Sequence, residues 1–164
     1  GGSRLAARFE ELRREVLAQP RELPRLRRDV IEMRDKMRAH LLGPETSGGK
    51  SPRFDLKQSV GGIVDIEFLV QYCVLAWSEN QAALSVYTDN IRILEALSES
   101  GLMASRDAQV LTEAYKAYRT VVHRLTLQQQ DDIVPAGEYQ ALRDEVVRVW
   151  DALLGSEQTG ENNT

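Results

Sequence analysis

Cysteine is almost absent from this chain: Cys73 stands alone among 164 residues. No disulfide framework is possible, and a reducing, cytoplasmic setting fits. Long apolar runs are missing as well. The longest, Phe68 to Trp77, is interrupted by Gln71 and is too short to span a bilayer, so no membrane partner is expected. The opening Gly1-Gly2-Ser3 leads into an arginine-rich stretch without the apolar segment of a signal peptide. With no initiating methionine, that start is expected of a piece cut from a longer chain. Catalytic signatures are scarce: there is no GxSxG, no phosphate-binding GxxxxGK and no GxGxxG. His40 and His123 lie far apart, outside any metal-binding spacing. Cys73 sits in the most apolar segment, where an inert core thiol is expected. Aromatic residues make up 6% and do not interleave with basic ones, so there is no stacking platform for a single-stranded nucleic acid.

What is present is charge and helical period. The net charge of −4 is unevenly spread: residues 1–50 hold 12 Lys/Arg against 8 Asp/Glu, the remainder 9 against 17. The basic residues of the first part alternate with acids at helical spacing, the pattern of a solvated helix face. A nucleic-acid module would need a continuous basic face, which residues 51–164 do not supply. Leu5, Phe9, Leu12 and Val16 mark a helix near 5–18. Leu23, Leu26, Val30, Met33 and Met37 mark a second over 22–42, stopped by Gly43-Pro44. The polar stretch 43–53 reads as a mobile loop. "IEFLVQYCVLAW" is apolar nearly all round, as in a helix (62–78) buried at the centre of a bundle. Thr88 is the expected cap of a helix over 89–99, with Ile91, Leu94 and Leu97 inward and Gly101 as its stop. Leu111, Tyr115, Tyr118, Val122 and Leu125 define a long helix over 105–128. "QQQDDIVPAG" reads as a turn, and Tyr139, Leu142, Val146, Trp150 and Leu153 define a last helix over 138–154. The acidic tail 156–164 is expected to be disordered. Period-two alternation is nearly absent, with Arg53–Lys57 the one candidate strand. The fold class is therefore all-α: a helical bundle of about six helices, the last four packed around the apolar helix 63–77. Residues 1–42 form leading helices and 54–155 the bundle proper.

"FDLKQSVGGIVDIEF", residues 54–68, is the stretch where chemistry concentrates. Two glycines before a helix let the backbone approach something closely and leave first-turn N–H groups pointing outward. A helix start of that kind suits an anion, and Lys57 adds a point charge. Asp65 and Glu67 lie two residues apart, hence ~200° apart around a regular helix, and cannot clamp one metal from one face. A plain structural reading stands beside this one: Gly61 or Gly62 as a cap, Asp65 as a capping-box partner, Glu67 bonded to Gln71. In "YTDNIRILEAL", Asp89 and Arg92 carry two similar options. Arg92 either pairs with Glu95 and Glu99 on its own helix, or it or Asp89 crosses to the Lys57–Glu67 region. Arg119 and His123 form an i,i+4 pair on the long helix.

"VIEMRDKMRAHL", "FDLKQSVGGIVDIEFLVQYCVL", "YTDNIRILEAL" and "AYKAYRTVVHRLTLQ" occur in that order across residues 25–154. Together they resemble the C-terminal end of the bacterial glutamine synthetase adenylyltransferase family. The related uridylyltransferases share a K-x-x-x-G-G-x-x-D pattern, matched here by Lys57, Gly61, Gly62 and Asp65. The resemblance implies transfer of AMP from ATP to a tyrosine of glutamine synthetase, with Mg2+, under control of glutamine and PII-type signal proteins. It also implies two nucleotidyltransferase units, each an α/β catalytic domain followed by a helical one, with this chain in the adenylylating half.

One departure limits what carries over. The catalytic signature of that family, a Gly-Ser turn followed by a metal-holding D-x-D pair, is absent from this sequence. Since transfer of this type depends on metal clamps and positioning, no catalytic residue, no metal ligand and no tightly bound cofactor is expected here. The chain reads as the helical companion of a catalytic domain. Lys57, Gly61, Gly62, Asp65, Glu67, Asp89 and Arg92 are the candidates to face its nucleotide or its cleft. The alternative is a purely structural or protein-docking bundle in which the motif only seats a helix.

Overall fold

The computed structural model describes residues 23–42, 53–77 and 89–155. The helix expected over 5–18, the Thr88 cap, nearly all of the 43–53 loop and the 156–164 tail lie outside them. The order of elements is α1 (Leu23–Leu42), β1 (Arg53–Asp55), α2 (Ile63–Trp77), α3 (Asn90–Glu99), α4 (Ser105–Leu127), β2 (Ile133–Pro135), a 3-10 turn (Ala136–Tyr139) and α5 (Gln140–Leu154).

Helix α2 is the axis. Twelve of its 15 residues are buried, because apolar side chains occupy almost every position and can be satisfied only by neighbours on all sides. Leu26 and Val30 of α1, Ile93, Leu94 and Leu97 of α3, Leu111, Tyr118 and Leu125 of α4, and Val146 and Val149 of α5 close around it. The helical bundle anticipated from the periodicity is thus the architecture observed. No helix among the described residues is long and apolar enough to cross a membrane.

Helix ends follow local chemistry. Asp89 caps α3: its carboxylate accepts from the N–H groups of Ile91 (2.8 Å) and Arg92 (3.4 Å). Gly101, at φ 77°, turns the chain out of α3, and Leu102 N–H closes back on Leu97 C=O at 3.0 Å. This is the left-handed stop that glycine makes cheaply. Gln129 performs the same turn after α4 at φ 56°, with Gln130 N–H on Leu125 C=O at 2.8 Å.

One expectation needs correction. "QQQDDIVPAG" is not only a turn: Ile133–Pro135 pairs antiparallel with Arg53–Asp55, in the register Arg53↔Pro135, Phe54↔Val134, Asp55↔Ile133. Three residues ending in proline are too few to display alternation, so the pairing is invisible in sequence. On α5 the fully buried positions are only partly those that mark its period. Arg143, Val146, Val149 and Leu154 are its buried residues, while Tyr139, Leu142, Trp150 and Leu153 pack half-buried at the margin.

The turn before α2 is closed so tightly that a side chain has no room. A Cβ on Gly62 would stand 2.7 Å from Leu56 O and 3.0 Å from both Lys57 O and Ser59 O, all backbone atoms. At Gly101 the φ is positive but nothing lies within 4 Å. Gly62→Ala is therefore expected to cost about 3 kcal/mol through crowding, and Gly101→Ala about 1 kcal/mol through backbone strain alone. Urea unfolding midpoints compare the two, and equal losses would contradict the crowding.

Candidate functional site

The site is the turn from Asp55 to Gly62 and the residues that tie it down. Asp55, at the end of β1, folds the chain back on itself. Its Oδ1 accepts from the backbone N–H of Lys57 (2.9 Å) and Gln58 (2.8 Å), and its own N–H donates to Ser59 Oγ at 3.0 Å. The first N–H groups of α2 are consumed by the same turn. Gly62 N–H donates to Ser59 O (2.9 Å), Ile63 N–H to Leu56 O (2.8 Å) and Val64 N–H to Lys57 O (3.0 Å). The open helix start anticipated from the paired glycines is therefore closed, and what fills it is protein backbone.

Asp65 sits one turn into α2, buried, and accepts three hydrogen bonds. Gly61 N–H donates to Oδ2 at 2.8 Å; Arg34 Nε and Arg38 Nη2, both from α1, donate to Oδ1 at 2.6 Å each. Arg34 is completely buried. Its remaining nitrogens donate to Gln58, Nη2 to the backbone carbonyl at 2.7 Å and Nη1 to Oε1 at 3.2 Å. Burial lowers the pKa of this guanidinium, and the Asp65 carboxylate opposes that most strongly. From the other side, Arg143 of α5 donates Nε to Val60 O at 3.1 Å, with its guanidinium 4.2 Å over the Phe54 ring.

The sequence candidates thus fall into separate groups. Gly61, Gly62 and Asp65 are buried in the turn. Lys57 is half-exposed, with Nζ 3.3 Å from Asp132 Oδ2 next to β2. Glu67 points away from Asp65, half-buried, and no described residue donates a hydrogen bond to it; the expected bond with Gln71 does not form. Arg119, Lys57 and Arg34 act on it only through their fields, and burial holds its carboxyl above the ordinary value against all three. Asp89 is spent as the α3 cap, and Arg92 is exposed and makes no ion pair with Glu95 or Glu99. Neither reaches the Lys57–Glu67 region by a hydrogen bond or ion pair among the described residues. Arg119 does not pair with His123: it lies 5.4 Å over the Tyr115 ring and donates to the Tyr115 hydroxyl at 3.3 Å.

Magnesium does not fit these residues. Both Asp65 oxygens already accept strong donors, Glu67 lies on another face of α2, and the described residues contain no group of three or more His, Cys, Asp or Glu placed to hold a metal. The residues that sequence reasoning missed are Arg34, Arg38, Gln58 and Arg143. A signal existed for the first two: the inner line of α1, Leu26–Val30–Arg34–Arg38, keeps its four-residue step while turning from apolar to basic.

This helical bundle, with two glycines closed against a buried aspartate, belongs to a known class. The family model described as GlnD PII-uridylyltransferase matches residues 32–142, and the chain is a member of that family. Within it, the chain is 52% identical over 157 residues to the bifunctional glutamine synthetase adenylyltransferase/adenylyl-removing enzyme of Pseudomonas aeruginosa. It is 50% identical to that of Pseudomonas syringae and 46% to that of Nitrosococcus oceani. The alignments cover 92%, 91% and 96% of this chain and 16% of each relative, so the chain spans about one sixth of their length.

Glu67 yields a test of the electrostatics. Because its folded pKa is raised, the native state holds the proton more tightly than the unfolded chain does. Its contribution is fully present below the ordinary carboxylate value and is lost as pH rises through the folded pKa. Glu67→Gln is expected to melt higher than wild type near pH 7, with the gap closing towards about pH 4. A gap independent of pH would show that the charge is not the cause.

Proposed function

We propose that this chain is a helical, non-catalytic module of a glutamine synthetase adenylyltransferase. In this reading AMP passes from ATP to a tyrosine of glutamine synthetase, with Mg2+, in a nucleotidyltransferase domain elsewhere in the protein. The module presents its Lys57–Glu67 end to that domain. A cytoplasmic location and control through a PII-type signal protein belong to the same reading. What carries it is identity of 52% sustained over 157 residues to an enzyme of that name. The commitment of Asp65 to Arg34, Arg38 and Gly61 supports the non-catalytic part, since it leaves no carboxylate pair for a metal.

A second reading, a structural or protein-docking bundle, is favoured by one observation: Lys57 is paired locally, 3.3 Å from Asp132. The two separate by experiment. This chain alone, given ATP, Mg2+ and glutamine synthetase, is expected to transfer no label from radioactive ATP. In a complete adenylyltransferase carrying this module, Lys57→Ala and Glu67→Ala are expected to lower the adenylylation rate at least tenfold with no fall in melting temperature. Label transfer by the isolated chain overturns the non-catalytic assignment. Rate losses that only follow loss of stability make the motif a structural seat.

A further inference from the structure

Arg34 is completely buried, and its fork spans three acceptors on two segments: Asp65 Oδ1 on α2, and Oε1 and the backbone carbonyl of Gln58 in the turn. Stability alone is a poor reason for this arrangement. A buried ion pair roughly offsets its own desolvation, and apolar side chains of similar volume often stabilise as well or better. What a methionine in its place would lack is direction. A planar guanidinium fixes the relative position of every group it bonds.

The group so fixed adjoins Lys57. The Lys57 N–H is held by Asp55 Oδ1 (2.9 Å), its carbonyl accepts from Val64 N–H (3.0 Å), and the next carbonyl, that of Gln58, receives Arg34 Nη2 at 2.7 Å and Arg38 Nε at 3.4 Å. The Lys57 side chain then stands half-exposed at the tip, beside Asp132. Arg34 and Arg38 join α1 to this turn.

We propose that Arg34, seconded by Arg38, is a positioning residue that sets where the Lys57 ammonium is presented, so that α1 and the Lys57 turn move as one piece. Any displacement of α1, which carries both arginines, is delivered to Lys57. This deepens the function proposed above, because Lys57 is the residue placed there towards the nucleotidyltransferase domain.

The test reads Lys57 directly and needs no activity. The chain is labelled briefly with an amine-acylating reagent, and modification of Lys57 is measured by mass spectrometry against Lys36 and Lys116 in the same molecule. Arg34→Lys keeps the charge but loses the fork. It is expected to change the Lys57 labelling rate about fivefold, the worth of one ordinary hydrogen bond, while Lys36 and Lys116 stay at wild-type rates. Arg38→Gln, at the partly exposed rim, is expected to act in the same direction and less strongly, and it carries the test should Arg34→Lys not fold. Unchanged Lys57 labelling in a folded variant overturns the proposal, as does a parallel change at all three lysines. In the complete enzyme, Arg34→Lys combined with Lys57→Ala is expected to be no slower than Lys57→Ala alone. If Lys57→Ala leaves the rate intact while labelling responds as expected, the functional reading fails and the positioning role stands.

Discussion

One carboxylate governs how this fold is assembled. Asp65 is removed from water, a transfer that is prohibitive for an isolated charge, and it is tolerated because three donors converge on it. Two of these are guanidinium groups, so the aspartate and the arginines justify each other: neither is stable in the core without its partner. The third is the N–H of Gly61, four residues earlier in sequence, which ties the start of α2 to the side chain of its own first turn. Helix α1, the glycine turn and α2 are in this way fastened at one point, and the short sheet follows, because Leu56 N–H is delivered to Asp132 O at 2.8 Å.

The sequence oddity of a cation, two glycines and two acids at one helix start has a physical answer in this geometry. The glycines are there for closeness: Gly62 is surrounded by carbonyls of its own turn, and a Cβ on Gly61, at φ 81°, would meet Arg143 O at 3.0 Å. The two acids serve different ends. Asp65 is enclosed and fully bonded, whereas Glu67 is left half-buried without a donor from any described residue, the kind of group that a docking surface completes. Lys57 lies outside the knot, but its backbone N–H and carbonyl are both held within the turn.

Much of the fold was legible in the sequence. The centrality of α2 followed from an apolar pattern with no polar face, and the ends of α3 and α4 were placed to within a residue or so by their periods and by Gly101. The site was legible only in part. Lys57, Gly61, Gly62 and Asp65 stood out as a motif, yet their roles depended on Arg34 and Arg38, which lie 31 and 27 residues before Asp65 on another helix. Helical spacing identifies neighbours on one helix and is silent about which side chain crosses between two. Arg143 was missed for a related reason: a charged residue is assigned to solvent by any polarity pattern, but its planar head stacks on Phe54 and behaves as core. The cap at Asp89 is a smaller case: Thr88 and Asp89 are adjacent residues of capping type, and helical period alone does not fix which one caps.

The dependence of the whole on Asp65 is open to a direct measurement, the unfolding free energy of Asp65→Asn in urea. The substitution keeps the shape and the acceptor oxygen facing one partner, and removes the charge that offsets two guanidinium groups in the core. Breaking a buried pair from one side costs about 3–5 kcal/mol, and a loss of that size is expected, with α1 less protected against amide exchange than α4. A loss below about 1 kcal/mol, the range of an exposed ion pair, would contradict the account and leave the turn held by its glycines and backbone alone.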